Sequence, residues 1–290
     1  MDKPPFEFAT PDYPLAPHTW YRVGGPARWA LTPRNADEAE AAWRWAREQK
    51  IPMLLLGAGS NVLISDAGFP GIVLFTTCLK RLESMGDDRY LAEGGVELDT
   101  LVQKVMLHNN YEGVGALTGI PGTVGGAIFM NAGTANGSIC ALLESVDMAR
   151  SDGRVRIAME ECLYAYRSQR FCAPGDLILH GVFRFRRAET DQRTVYDHYI
   201  RRRRETQPQG YCCGSVFKNP PGAHAGRLIE ACGLKGTRLG GAVISPKHAN
   251  FIMNDRDACF EDIVGLIALA KQRVHERFNI DLEEEVRIIR

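Results

Sequence analysis

The chain has 290 residues, 45% of them hydrophobic and 24% charged, and its 35 Lys and Arg balance 35 Asp and Glu for a formal net charge of zero. A chain of this length buries a real core, and its balanced charge excludes the basic footprint of a nucleic-acid-binding protein. No run of about 18 apolar residues occurs, and the N-terminal stretch carries acids and prolines where a secretory leader needs an apolar run, so the expectation is a cytoplasmic enzyme or binding protein away from membranes.

In chain order, residues 27–74 read as a strand (ARWALTP), a helix (NADEAEAAWRWAREQK) and three strands (IPMLLLG, VLIS, GIVLF). Asn35 is the expected N-cap, with Glu38 three residues on as in a capping box, and alanines with Trp43 supply the buried face. From Asp88 to Arg187, strand-like runs (RYLAEGG, ESVDMARSD, RVRIAM, LILHGVFRFRR) alternate with a helical LDTLVQKVMLHN and a glycine-rich stretch at 113–137. RTVYDHYIRRRRETQPQG then predicts a helix running into a polar loop, a boundary near residue 205. In the last segment the helix FEDIVGLIALAKQRVHERF places Ile263, Ile267, Ala270, Val274 and Phe278 on one face, and EEVRIIR reads as a strand. These patterns predict three segments: 1–75, 76–204 and 205–290.

Eight cysteines are scattered without a CxxC pair, which fits neither a zinc site nor a small disulfide scaffold. No metal site is expected. Cys212 and Cys213 are adjacent, a poor geometry for a shared metal or a mutual disulfide, and read as small fillers.

Two glycine-rich stretches, LLLGAGSNVLISDAGFPG (54–71) and GALTGIPGTVGGAIFMNAGT (115–134), stand beside apolar runs. Tight turns at the ends of buried strands would there bring backbone N–H groups close to a ligand. The first is not a dinucleotide fingerprint, because Val62 occupies the place of the third glycine and no long helix pattern follows. Together, with Ser60, Asn61, Thr123 and Asn131 as added donors, they favour a diphosphate cradle over plain turns.

The pair GAGSNVLISDAGFPGIVL and GIPGTVGGAIFMNAG resembles the flavin-binding core of the UDP-N-acetylenolpyruvoylglucosamine reductases. The resemblance extends through HTWYRVGGPA (18–27), YRSQRF (166–171), RRRRETQP (201–208), GSVFKNP (214–220), AGRLIEACGLKG (225–236), GGAVISPKHANFIMN (240–254) and EVRII (285–289), in the family's order and with the compact spacing of its shorter subtype. It implies an α+β fold: a two-part FAD-binding domain (1–75 and 76–204) of the PCMH or vanillyl-alcohol-oxidase type, and a smaller α+β substrate-binding domain (205–290) whose terminal strand returns to the flavin. It further implies non-covalent FAD, NADPH as co-substrate, UDP-N-acetylglucosamine enolpyruvate as substrate, and UDP-N-acetylmuramate, a peptidoglycan precursor, as product. A monomer is expected.

Carried onto this sequence, the resemblance implies catalytic roles for Arg167, Ser215 and Glu285. Hydride addition to the enolpyruvyl methylene builds an enolate on the neighbouring carbon. A guanidinium fork at Arg167 suits its carboxylate, Glu285 can share a proton with it if its pKa is raised, and Ser215 is the proton donor to carbon. Implied FAD contacts are Gly57, Ala58, Gly59, Ser60, Asn61, Val62, Leu63, Gly119, Ile120, Pro121, Thr123, Gly125, Gly126, Asn131 and Gly133. Tyr166, Lys218 and Asn219 are implied to face substrate, although a solvated loop charge is an equal reading of Lys218. The run Arg201–Arg204 spans a helical turn and points several ways, so most of it reads as solvated.

Two rivals stay open at this level. One is an oxygen-using oxidase of the same fold, often with flavin on a histidine; the glycine stretches hold none, and Arg167, Ser215 and Glu285 would go unexplained. The other is a catalytically silent UDP-sugar or flavin-binding module.

Overall fold

The computed structural model describes Lys3–Arg290. The chain divides into two compact units, the first made of Met1–Pro11, Trp29–Ala58 and Gly71–Arg201, the second of Asp12–Arg28, Gly59–Pro70 and Arg202–Arg290. Among the described residues, no helix is long and apolar enough to cross a membrane.

The first unit contains strands from two sheets. A four-stranded sheet has the order Ala9–Pro14, Pro26–Leu31, Phe69–Phe75, Met53–Leu56, and its last two strands run parallel, with Met53 opposite Ile72. The helix Ala36–Glu48 buries Ala39, Ala42, Trp43 and Ala46 among Leu31, Ile72 and Leu74, and Trp43 Nε1 donates to Gly175 C=O at 2.7 Å. Its start follows the sequence expectation in part. Asn35 Oδ1 accepts the Glu38 N–H at 2.9 Å, but the Glu38 carboxylate takes the N–H of Arg34, one residue upstream of the cap.

The five-stranded antiparallel sheet has the order Gly153–Ala158, Leu143–Arg150, Leu177–Arg184, Arg89–Glu93, Leu82–Gly86. The expected helix after Glu97 forms as one α turn, Leu98–Leu101, that widens into a π-helical Val102–Leu107. Its apolar side, with Val124 and Ile128, shares a core with Val146, Met148 and Phe183 of the sheet. Within the sheet, His180 and Asp147 are both buried, with Nε2 3.1 Å from Oδ2 but out of line for a hydrogen bond. Asp147 Oδ2 instead accepts from Arg156 Nε at 2.8 Å.

Two sequence expectations are corrected. The second glycine-rich stretch is not a set of turns at strand ends: it folds as short helices, Val114–Leu117 and Val124–Met130, because Thr123 caps the second and Asn131, in the left-handed region, ends it. Val62–Ile64 does not join the sheet of its sequence neighbours. It pairs in parallel with Arg287–Ile289 in the second unit, Val62 opposite Arg287.

The second unit also has a three-stranded antiparallel sheet, Arg238–Leu239, Ala242–Ile244 and Ile252–Asn254, with helices Ala225–Ala231 and Phe260–Phe278. The long helix buries Ile263, Ile267, Ala270 and Val274 as expected, with Phe278 half-buried at its end. Asp262 anchors its first turn by accepting N–H groups from Gly241 and Cys259 at 3.0 and 3.1 Å, which hold its carboxyl below its ordinary pKa.

Candidate active site

In the first unit the two glycine-rich stretches meet. A Cβ on Gly57 would lie 2.5 Å from Thr123 Oγ1, and one on Gly125 would lie 2.9 Å from Gly94 C=O, so neither position admits a larger residue without a shift. Thr123 is buried and its Oγ1 also accepts the Gly126 N–H at 3.4 Å. Gly119 and Gly122 have φ of +68° and +125°, which side chains rarely adopt. Ile120, Pro121 and Gly125 are half-buried, and Gly126 is exposed. These contacts pack the backbone of the two stretches together beside the Thr123 hydroxyl, and leave Gly126 open, where a Cβ would meet only Thr123 Oγ1 at 3.6 Å.

Beyond this, Asn131 and Gly133 are engaged with the chain itself. Asn131 is buried, its Nδ2 donates to Ala165 C=O at 2.7 Å and its Oδ1 accepts the Cys140 N–H at 3.4 Å. Gly133 C=O accepts from Arg167 Nη2 at 2.8 Å. Both therefore brace the hairpin of Tyr164–Ala165 and Ser168–Gln169, whose two-residue turn is Tyr166–Arg167. Arg167 sits at φ +51°, a region costly for an arginine, and its guanidinium lies 5.0 Å from the centre of the exposed Tyr166 ring.

The second unit brings Gly59–Leu63, Ser215 and Glu285 into one framework. Gly59 has φ +65°, and a Cβ there would lie 2.0 Å from His18 C=O. Asn61 Nδ2 donates to the Glu285 C=O at 3.0 Å, and Asn61 C=O accepts the Arg287 N–H at 3.1 Å. Val62 and Leu63 are buried in the parallel pair, while Ala58, in the first unit, and Ser60 are half-buried. Glu285 N–H donates to Val216 C=O at 2.7 Å, Lys218 N–H donates to Glu283 C=O at 2.9 Å, and Phe217 opposes Glu284. This short antiparallel ladder starts one residue after Ser215, so the serine and Glu285 lie within a residue of each other along it. Both are half-buried.

The two residues after Phe217 behave differently. Lys218 Nζ pairs with the exposed Glu283 carboxylate, and Asn219 Oδ1 accepts the Ala225 N–H at 3.1 Å, holding the start of the helix Ala225–Ala231. Of the arginine run, Arg201, Arg202 and Arg204 are exposed, and the half-buried Arg203 donates to Gln207 Oε1 at 3.3 Å. Cys212 and Cys213 are free thiols buried beneath the serine loop; Cys213 Sγ donates to Val62 C=O at 3.3 Å, and burial pushes its pKa up. They fill space, as read from the sequence. Among the described residues, no group of three His, Cys, Asp or Glu could hold a metal ion.

Sequence reasoning passed over two contributors. Gly94 gives the backbone wall against which Gly125 packs, and Asn250 holds the peptide groups beside Ser215. Gly94 had a signal in the pair Gly94–Gly95 after a strand; Asn250 had none beyond its place inside a longer motif.

Comparison with known proteins agrees with this arrangement. Residues 27–158 match the model of an FAD binding domain, and residues 207–289 match that of the UDP-N-acetylenolpyruvoylglucosamine reductase C-terminal domain. The chain is 42% identical over 280 residues to the UDP-N-acetylenolpyruvoylglucosamine reductase of Anaeromyxobacter dehalogenans, covering 96% of this chain and 84% of the relative. It is 40% identical over 281 residues to that of Acaryochloris marina, covering 95% and 91%. The crystal structure of the Thermus caldophilus enzyme superimposes with a TM-score of 0.79 at 32% identity, covering 97% of this chain and 98% of that one. With both domain models matched in order and relatives aligned over nearly the whole length, the chain belongs to the UDP-N-acetylenolpyruvoylglucosamine reductase family.

Proposed function

We infer that this protein is an NADPH-dependent flavoenzyme that reduces the enolpyruvyl group of UDP-N-acetylglucosamine enolpyruvate to UDP-N-acetylmuramate for peptidoglycan synthesis. The residues present suit FAD: Gly57 and Gly125 let the two stretches pack closely against Thr123 and Gly94, and the exposed Gly126, where a Cβ would meet only Thr123 Oγ1 at 3.6 Å, leaves backbone that a diphosphate can approach. Bound there, FAD would supply the hydride-transfer chemistry that links NADPH to the substrate alkene. Gly57, Ala58, Gly119, Ile120, Pro121, Thr123, Gly125 and Gly126 of the first unit, and Gly59 to Leu63 of the second, are the proposed cofactor contacts. Asn131 and Gly133 fit this role through the hairpin they brace.

The protein's own part is to hold the substrate carboxylate and move one proton. Arg167 forks onto the carboxylate as charge spreads into it, in the geometry that guanidinium and carboxylate share. Glu285 hydrogen-bonds the same group. Ser215 gives its hydroxyl proton to the enolate carbon, where position matters more than acidity because the carbon is a strong base. Tyr166, Lys218 and Asn219 face the sugar nucleotide, and Lys218 must leave Glu283 to do so. The three-segment division, with 1–75 and 76–204 for flavin and 205–290 for substrate, and a cytoplasmic monomer belong to the same proposal; sedimentation checks the last.

The observation that carries this reading is the ladder in which Glu285 N–H bonds Val216, the residue next to Ser215. The test is a pair of rapid-mixing measurements on Ser215→Ala. Flavin bleaching by NADPH is expected to stay intact, while reoxidation by the enolpyruvyl substrate slows by about 10²–10⁴-fold. Equal slowing of both half-reactions would remove Ser215 from its role, and a flavin-replete sample without turnover would sink the reductase reading.

A further inference from the structure

The serine-bearing segment raises a question that the catalytic groups do not answer: what fixes its free edge. Phe217 is the member of the ladder directly opposite Glu284, and the bonds on either side of it run from Glu285 N–H to Val216 C=O and from Lys218 N–H to Glu283 C=O. In an antiparallel pair with that pattern, the N–H and C=O of Phe217 point away from the partner strand. Phe217 is 1% exposed, so these two groups would be buried without partners. Asn250, itself 4% exposed, supplies both. Its Oδ1 accepts the Phe217 N–H at 3.0 Å and its Nδ2 donates to the Phe217 C=O at 2.8 Å. Its own backbone C=O accepts the Val216 N–H at 2.8 Å.

We propose that Asn250 is a positioning residue for the reduction, standing in for a missing strand so that the peptide groups after Ser215 are held on both edges and the serine hydroxyl is aimed at the substrate carbon. This rests on the reading of Ser215 as proton donor. The carboxamide suits this role because it presents one acceptor and one donor side by side, the same pair a neighbouring strand would present. The ladder to residues 283–285 fixes the register on one edge and the packing of Phe217 fixes the depth, while the other edge is tied down by Asn250. A displacement of about 1 Å at a reacting group costs on the order of 10²-fold in rate.

The experiment separates the two half-reactions by flavin absorbance after rapid mixing, with purified holoenzyme. For Asn250→Ala, bleaching by NADPH is expected within about twofold of the parent, whereas reoxidation by UDP-N-acetylglucosamine enolpyruvate slows by about 10–10²-fold with a larger solvent deuterium isotope effect. Asn250→Gln keeps both the acceptor and the donor on a side chain one methylene longer, and gives a smaller loss in the same half-reaction. It also keeps the test open if the alanine variant fails to fold. Because Asn250 acts through Ser215, the double variant Ser215→Ala with Asn250→Ala is expected to reoxidise no more slowly than Ser215→Ala alone.

Equal slowing of both half-reactions in the Asn250 variants, or losses that multiply in the double variant, would overturn the positioning role. If Ser215→Ala slows reoxidation and neither Asn250 variant does, the positioning inference falls and the serine reading stands. If Ser215→Ala leaves reoxidation unchanged, both fall.

Discussion

Arg167 stands at the tip of a hairpin of two two-residue strands, where its guanidinium donates to Gly133 C=O and Asn131 braces Ala165, with Tyr166 beside it 53% exposed. Ser215 leads instead into a segment bonded on both edges, by residues 283–285 and by Asn250, and walled by Val216 and Phe217, each 1% exposed. The difference is one of chemistry as much as packing. A guanidinium can adjust to a carboxylate over a range of angles, because attraction between charges falls slowly with distance. Proton delivery to carbon tolerates no such slack, since it needs the hydroxyl within hydrogen-bond reach. Arg167 itself sits in the left-handed region at φ +51°, a cost that its contacts within the hairpin and with Gly133 must offset.

The comparison can be broken in several ways. Arg167→Ala is expected to lose about 10²–10³-fold in reoxidation by substrate with almost no change in melting temperature; a large drop in melting temperature would mean that the hairpin is structural. Phe217→Ala should differ at the other region by affecting stability as well as rate, destabilising the fold by about 3–5 kcal/mol through an unfilled core site, read by denaturant unfolding. Asn131→Ala removes the amide bonded to Ala165 C=O and is expected to cost about 1–3 kcal/mol. It should also raise the KM for the UDP-sugar, as the hairpin loses its brace, and an unchanged KM would argue that the hairpin does not depend on Asn131.

The smallest expected effect depends on pH and lies outside both regions. Burial, opposed by Asp147, holds the pKa of His180 below its ordinary 6.5. The folded state therefore binds fewer protons there than the unfolded chain, and the stability His180 contributes is present above pH 6.5 and is lost as pH falls below it toward the folded pKa. Burial and then Lys235 lower His248 in the same direction. A melting temperature that declines from pH 7 to 5, with a shallower decline in His180→Asn, is the expected outcome; a parallel decline in the variant would exclude His180 as a contributor.

Much of this arrangement could be read from residue patterns, and the remainder fails for identifiable reasons. The helix Ala36–Glu48 was legible from Asn35 and the alanine and tryptophan stripe, and the helix Phe260–Phe278 from its apolar period, because both signals are local. The glycine-rich stretch after Leu117 misled, since glycines that serve close packing against Gly94 look the same in sequence as glycines that make turns. The strand Val62–Ile64 misled because its partner lies more than two hundred residues away, and no periodicity reports pairing at that distance. The ladder beside Ser215 and the support from Asn250 were illegible for the same reason. So was the use of Asn131, whose amide reads as a ligand donor until Ala165 is found next to it.

The pairing of Val62–Ile64 with Arg287–Ile289 also sets a timetable for biosynthesis. Asn61 and Glu285, joined by a hydrogen bond in the finished unit, are 224 residues apart in the chain. At ribosomal rates of about 5–20 residues per second, residues 59–70 emerge roughly 10–45 s before the segment that completes them. Throughout that interval the apolar edge of Val62, Leu63 and Ile64 lacks its partner strand. The parallel pair that completes this part of the second unit therefore forms only after residues 287–289 have been made.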